Sequence, residues 1–394
     1  MSTVTKRGDT YRIRVSAGYD INGKQIMKSM TWKPEPGMTK KQIEKELDRQ
    51  RVLFEEQVKS GQYSDGTIKF EAFAKAWIEQ TEKEGSLKPT SLKRLKDAQT
   101  RTYTAIGHLH MNKITTMQIQ SFINNLAEDG VNKRTGGGLS TKSQKVYLNF
   151  ISNVFNYAIK CGIVVNNPCR NVTPIKFDSI ERNVYTLEEA QQFLDLLEQK
   201  APAKYKLFFT LAIYGGFRRG EILGFEWKDV DFDNNIISVN RTSLYTPDNG
   251  VFTSTPKTKG SARSLKLPAA VILQLKQYRA EQAQIRLKAG DQWQDSDRIF
   301  TTWNGEPISP DSVRHWLTKF CKRENLRYVN VHSFRHLNAS LLINNGVDVR
   351  TVSATLGHSQ TSTTLNIYAH AFQEAQAKAS EAVADALDFK QNKA

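Results

Sequence analysis

The apolar residues change their spacing along this chain, and that change limits the fold more than any other feature. Near the start, Tyr11, Ile13 and Val15 alternate with Arg12, Arg14 and Ser16, the two-residue period of a half-buried strand. Asn22-Gly23 supplies a hairpin turn, and residues 25–32 read as a further strand before Pro34 and Pro36 end the sheet region. Thr39 is placed to cap a helix from Lys40, with Ile43, Leu47, Phe54 and Val58 along one face. Gly61 and Ser64-Asp65-Gly66 then break the chain.

From residue 68 to 165 the spacing becomes helical. Phe70, Phe73, Ala74, Trp77 and Ile78 form one apolar stripe, and Ser91 to Thr102 is a basic segment with Lys93, Arg94, Lys96 and Arg101. A helix through Met117 to Leu126 is followed by a glycine-rich loop at Asp129-Gly130 and Gly136-Gly137-Gly138. Ser140 and Thr141 open a long helix that carries Lys142 and Lys145 in its first turns and stops at Cys161-Gly162. Residues 171–183 read as a linker, and Thr186 followed by Glu189 is a capping-box signature. Helix, short strands and several helices follow, and no repeat of 20–50 residues appears. The expectation is a multidomain α+β protein. It has a small sheet-plus-helix domain (1–67), an all-α domain (68–175) and a mainly α domain with a small antiparallel sheet (183–394).

Charge narrows the partner. The 394 residues carry a net +16, split as +4 over 1–67, +8 over 68–180 and +4 over 181–394. An excess spread over folded segments points to a polyanion that several domains touch, nucleic acid first. The first 41 residues hold 9 basic and 3 acidic side chains, and a small sheet can enter a major groove. Arg12 and Arg14 on the sheet, Lys93 and Arg94 in the basic segment, and Lys142 and Lys145 on the long helix are therefore candidate DNA contacts. No run of about 18 apolar residues is present, so no membrane span is expected. The polar first residues give no secretory signal. Cys161, Cys169 and Cys321 make neither a metal-ligand pair nor a disulfide framework, which suits a reducing cytoplasm.

Four stretches of the last domain carry chemistry: Tyr214-Gly215-Gly216-Phe217-Arg218-Arg219-Gly220-Glu221, Pro256 to Pro268, His332-Ser333-Phe334-Arg335-His336, and Leu356-Gly357-His358-Ser359 with Tyr368 ten residues after His358. Together they supply what phosphodiester transfer needs without a metal. Arginines clamp non-bridging oxygens as charge builds. A lysine can protonate a leaving oxygen, and histidines move protons near neutral pH. A tyrosine can be the nucleophile. At its ordinary pKa of about 10, deprotonation at pH 7 costs roughly 4 kcal/mol, which nearby cations must offset. His332 and His336 lie four apart, but the metalloprotease glutamate is absent between them and Arg335 opposes a bound cation, so no metal is expected. No phosphate-binding loop of the NTPase kind occurs.

Over its whole length the chain resembles the tyrosine recombinases of the phage-integrase type, most like integrases of conjugative transposons and temperate phages. The family order of Arg, Lys, His-x-x-Arg, His and Tyr is filled by Arg218, Lys257, His332, Arg335, His358 and Tyr368. Arg219 is the rival for the first position, and the three-residue step to Glu221 favours Arg218; Lys259 is the rival for Lys257. The resemblance implies an arm-binding first domain, a core-binding helical domain and a catalytic last domain. It implies that Tyr368 attacks the scissile phosphate to form a 3′-phosphotyrosyl bond, with Lys257 as general acid and His332 taking the nucleophile's proton. Arg218, Arg335 and His358 would stabilise the transition state, and neither metal nor cofactor is called for. His336 is then left as a residue that packs the helix or supports the catalytic groups from behind. Implied partners are double-stranded attachment sites, a homo-tetramer exchanging its C-terminal segment (Ala371 to about Phe389), an excisionase and a DNA-bending host factor. The implied place is the bacterial nucleoid. The alternatives are a chromosome-dimer resolvase of the same family, which the N-terminal unit argues against, and a non-catalytic DNA-binding regulator, which the full catalytic set argues against.

Overall fold

The structure is a computed structural model that describes residues 2–19, 23–59, 68–177, 184–254, 262–369 and 372. The chain divides into two compact units, Met1–Ser179 and Ile180–Ala394. The sheet-plus-helix segment and the helical segment both fall in the first unit, each around its own apolar cluster.

Strands β1 (Thr3–Arg7), β2 (Thr10–Tyr19) and β3 (Gln25–Trp32) form an antiparallel sheet in that order. The alternation is physical: Ile13 and Val15 are buried against Phe54 and Val58 of α1 (Lys40–Lys59). Residues directly opposite in a ladder share a face. The pairs Thr5–Arg12–Thr31 and Thr3–Arg14–Ser29 therefore place both arginines among hydroxyl side chains on the other face. Arg12 Nη2 donates to Ser29 Oγ at 3.2 Å. Thr39 caps α1 reciprocally: its backbone N–H donates to Gln42 Oε1 at 2.9 Å, and the Gln42 N–H donates to Thr39 Oγ1 at 3.4 Å. Asn22, Gly61 and the Ser64-Asp65-Gly66 turn lie outside the described residues.

The helical segment packs α2 (Phe70–Glu84), α3 (Pro89–Thr102), α4 (Thr116–Asn125) and α5 (Thr141–Lys160) around Phe70, Ile78, Ile123, Phe150 and Phe155. Helix α3 starts at Pro89, earlier than the basic segment suggested, because proline fits the first helical position. It runs on into a π turn, Tyr103–Gly107, which the apolar spacing did not signal. The exposed residues of α5 are Lys142, Lys145, Asn149, Asn153, Asn156 and Lys160. They follow steps of three and four, so they form one polar stripe with three asparagines between lysines. On α3, Arg94 is exposed and Lys93 pairs with Asp97 at 3.0 Å.

In the second unit, α6 (Leu187–Lys200) opens with the expected capping box, Thr186 and Glu189 each satisfying the other's backbone. Then come α7 (Ala203–Tyr214), the short α8 (Arg219–Ile222), β4 (Val230–Asp231), β5 (Ile236–Val239), the hairpin β6 (Thr242–Thr246) and β7 (Gly250–Ser254), and β8 (Arg263–Lys266). Strand β8 pairs with β5, so the three-stranded sheet runs β4-β5-β8 and the β6–β7 hairpin is inserted between partners. Helices α9 (Ala269–Ala289), α10 (Pro310–Arg323), α11 (Ser333–Asn344), α12 (Val349–Leu356) and a helix over residues 361–369 complete it. Phe193 of α6 is fully buried, with ring centroids 5.4 Å from Phe209, 6.0 Å from Phe320 and 4.9 Å from Phe334. Four helices are thereby locked around one aromatic group. A smaller cluster of Ala339, Ile343, Val352, Leu356 and Tyr368 ties α11, α12 and the 361–369 helix together. Among the described residues no helix is long and apolar enough to cross a membrane.

Candidate active site

The site grows from the C-terminal end of α12. The last carbonyls of a helix have no intrahelical partner and carry the negative end of its dipole. Here Thr355 O accepts from Arg263 Nε at 2.8 Å, Leu356 O from Arg335 Nη2 at 2.6 Å, and Gly357 O from Arg218 Nη2 at 3.2 Å. Three successive carbonyls thus hold three guanidiniums. The turn that exposes them needs glycine: Gly357 has φ +63, and a Cβ there would lie 2.8 Å from Arg263 Nη1.

Arg218 stands at the N-terminus of α8. Its Nη1 donates to Glu221 Oε1 at 2.7 Å and its backbone N–H to Glu221 Oε2 at 3.0 Å. Arg263 Nη2 donates to the same Oε2 at 2.9 Å. Burial alone pushes the Glu221 carboxyl up. The hydrogen bond and charge of Arg263, with those of Arg218, outweigh burial and hold it below the usual carboxylate range. Glu221 is therefore an anion shared by two arginines. Arg219 points elsewhere, donating to Pro310 O at 3.1 Å and pairing with Asp311 at 3.5 Å, so of the two neighbours it is Arg218 that joins the cluster.

Arg335 is 2% exposed. Besides Leu356 O it donates to Gly216 O at 2.7 Å, and among the described residues it has no carboxylate partner. Gly216 reaches it through a turn at φ +58 in which a Cβ would meet Asn338 Oδ1 at 2.5 Å. Burial, then the charges of Arg218 and Arg263 against the partial relief of Glu221, push the Arg335 guanidinium down to about 9. A cation this deep and this poorly balanced is a place for an anion.

His358 follows Gly357. Its Nδ1 lies 2.8 Å from Thr364 Oγ1, which fixes the ring. Burial first, then Arg335, Arg218, Arg263 and His332, lower its pKa to about 4, so it is neutral at pH 7. Tyr368 is buried in the small cluster, and its Oη is 2.7 Å from Nδ1 of His336. The sequence pattern gave the nucleophile's proton to His332 and left His336 to pack the helix or to support the catalytic groups from behind. The structure places His336 at hydrogen-bond distance from the hydroxyl. His332, exposed at the N-terminus of α11, sets its ring edge-on to that of His336 at 4.9 Å. The four-residue spacing that puts both rings on one face was the available signal. Arg263 and Thr364 had none. Lys257 and its rival Lys259, His370 and the segment after Phe372 lie outside the described residues. Arg12, Arg14, Lys93, Arg94, Lys142 and Lys145 belong to the first unit.

The neutral His358 makes folding pH-dependent. Between pH 6.5 and about 4 the unfolded chain binds a proton at this position that the folded chain does not. Unfolding free energy therefore falls as pH is lowered through that window. The melting temperature of His358→Asn should fall less than that of the unaltered chain between pH 6.5 and 4; identical slopes would contradict the lowered pKa.

Known proteins share this architecture. Residues 183–375 match the phage integrase family and residues 70–174 the phage integrase central domain. A XerC-like tyrosine recombinase of Caldanaerobacter subterraneus is 30% identical, over 95% of this chain and 96% of that protein. The ICEBs1 integrase of Bacillus subtilis is 27% identical, over 98% of this chain and 100% of that protein. Among solved structures, a Tn1549 transposon integrase with transposon right-end DNA superposes with a TM-score of 0.65 at 19% identity, covering 80% of this chain and 100% of that one. A lambda integrase tetramer on a Holliday junction gives 0.54 at 16% identity, covering 91% and 96%. The chain belongs to the phage integrase family and is a site-specific DNA recombinase of the tyrosine type.

Proposed function

We propose that the chain integrates and excises a mobile element by cutting and rejoining its attachment sites through a 3′-phosphotyrosyl bond at Tyr368. The observation that carries this reading is the trio of guanidiniums on successive carbonyls of the α12 terminus, with a neutral histidine beside them and a tyrosine packed on the same helices. The scissile phosphate brings the negative charge that Arg335 lacks. Arg335 and Arg218 take the non-bridging oxygens, and preorganised donors of this kind are worth most where charge develops. His358, being neutral, donates a hydrogen bond to a phosphate oxygen without adding a cation. Lys257 is the general acid for the 5′-oxygen, and His332, on the exposed end of α11, is positioned for the phosphate or for proton traffic with solvent. Attack by the 5′-hydroxyl of a second strand reverses the step and exchanges strands, with the bond energy kept in the phosphotyrosine.

A tetramer on DNA that exchanges C-terminal segments is the assembly we infer, because the relative solved on a Holliday junction is a tetramer. An excisionase and a bending factor of the host are its expected helpers, and the bacterial nucleoid its place of work. In the first unit, Arg12 and Arg14 offer a basic sheet face to arm sites, and Arg94, Lys93 and the α5 stripe offer a face to core sites. On that stripe the lysines suit phosphates, while asparagine is the side chain that pairs bidentately with adenine in the major groove.

A nicked suicide duplex carrying the attachment site should give a denaturant-resistant protein–DNA adduct with the unaltered chain and none with Tyr368→Phe. No adduct with the unaltered chain would refute the reading. The α5 stripe is tested apart from chemistry. Lys142→Ala with Lys145→Ala should reduce the slope of log affinity against log salt by about 0.9 for each phosphate that the lysines neutralise. Asn149→Ala should cost about 1–3 kcal/mol on the preferred duplex and leave binding to random DNA unchanged. Equal losses on both DNAs would remove the base-reading role.

A further inference from the structure

We propose that His336, not His332, accepts the proton of the Tyr368 hydroxyl during attack and returns it when the phosphotyrosine is resolved. The inference rests on the recombinase reading above and deepens it.

Three observations carry it. Tyr368 Oη lies 2.7 Å from His336 Nδ1, already within the reach a general base needs. The Tyr368 side chain is 6% exposed and packs among Ala339, Ile343, Val352 and Leu356, which limits the water around it and favours an acceptor within the protein. His332 stands at the N-terminus of α11, where the positive end of the helix dipole disfavours an added proton, whereas His336 lies a full turn further in. The edge-on ring of His332 at 4.9 Å then leads from the half-buried imidazole towards solvent.

In the cleavage step a lone pair of Oη forms the O–P bond while the P–O5′ bond breaks. The phenolic proton passes to Nδ1 of a neutral His336 whose hydrogen is on Nε2. The electron pair leaving with O5′ is met by the proton of the general acid, Lys257 in the reading above. Ordinary values of about 10 for a phenol and about 6.5 for an imidazole make the transfer to His336 uphill on its own. Neutralisation of the forming phenolate by the phosphorus, with Arg335 nearby, brings it within reach.

The test is single-turnover adduct formation on a nicked duplex carrying the attachment site, with protein in excess. His336→Ala should slow it by about 10²-fold or more with duplex affinity unchanged within about twofold. His336→Asn places an acceptor oxygen near the same point but takes no proton, so it should stay slow by a similar factor; a purely positioning role would be rescued by it. Added imidazole should accelerate His336→Ala and leave Tyr368→Phe inert. A near-normal rate for His336→Asn, or slowing confined to His332→Ala, would overturn the proposal. If His336→Ala does not fold, the His336→Asn rate decides. Absence of any adduct with the unaltered chain would instead overturn the recombinase reading on which this one rests.

Discussion

The site depends on one structural fact: α12 ends in three carbonyls without helical partners, and each is claimed by a different arginine. Guanidiniums repel one another, and gathering three of them in a partly buried place is costly. The α12 dipole end and the buried carboxylate of Glu221 make it tolerable. Glu221 serves Arg218 and Arg263, which among the described residues leaves Arg335 hydrogen-bonded to neutral carbonyls. The charge balance at Arg335 is therefore incomplete, and in the function proposed above the scissile phosphodiester completes it. His358 feels the same field, and its neutrality at pH 7 is a direct consequence of burial within that field.

Packing puts these groups in register. Phe334 of α11 is held in the aromatic group around Phe193, which fixes the helix that also carries Arg335 and His336. The same helix presents Ala339 and Ile343 to Tyr368, so Tyr368 and Arg335 are both set by one element. Two glycine turns let backbone approach where side chains would clash, at Gly216 beside Asn338 and at Gly357 beside Arg263. Neither glycine needs to touch substrate to matter. Each lets a carbonyl reach a guanidinium.

What could be read from the sequence was what is local. The alternation at Ile13 and Val15, the Thr39 and Thr186 caps and the apolar stripe from Phe70 are set by neighbours within a few residues, and the structure contains each of them. The motif order also pointed to Arg218, Arg335, His358 and Tyr368, and geometry settles which of Arg218 and Arg219 faces the cluster. What could not be read is pairing over long separations. Strand β8 skips the β6–β7 hairpin to join β5, and so brings Arg263 to Glu221 and Thr355. Thr364 matters only because a turn folds it back onto His358. His336 was visible as a helical neighbour of His332, but its partner lies 32 residues on, in a different helix.

If Arg335 serves to neutralise a scissile phosphate oxygen, charge replacement tests that role most directly. Strand cleavage by Arg335→Ala should be measured on two nicked duplexes, one with the natural phosphodiester and one with a methylphosphonate at the scissile position, where a neutral methyl group replaces one charged oxygen. The variant is expected to be nearly inactive on the diester and to regain cleavage on the methylphosphonate, since the charge that Arg335 met is gone. Equal inactivity on both duplexes would contradict a neutralising role.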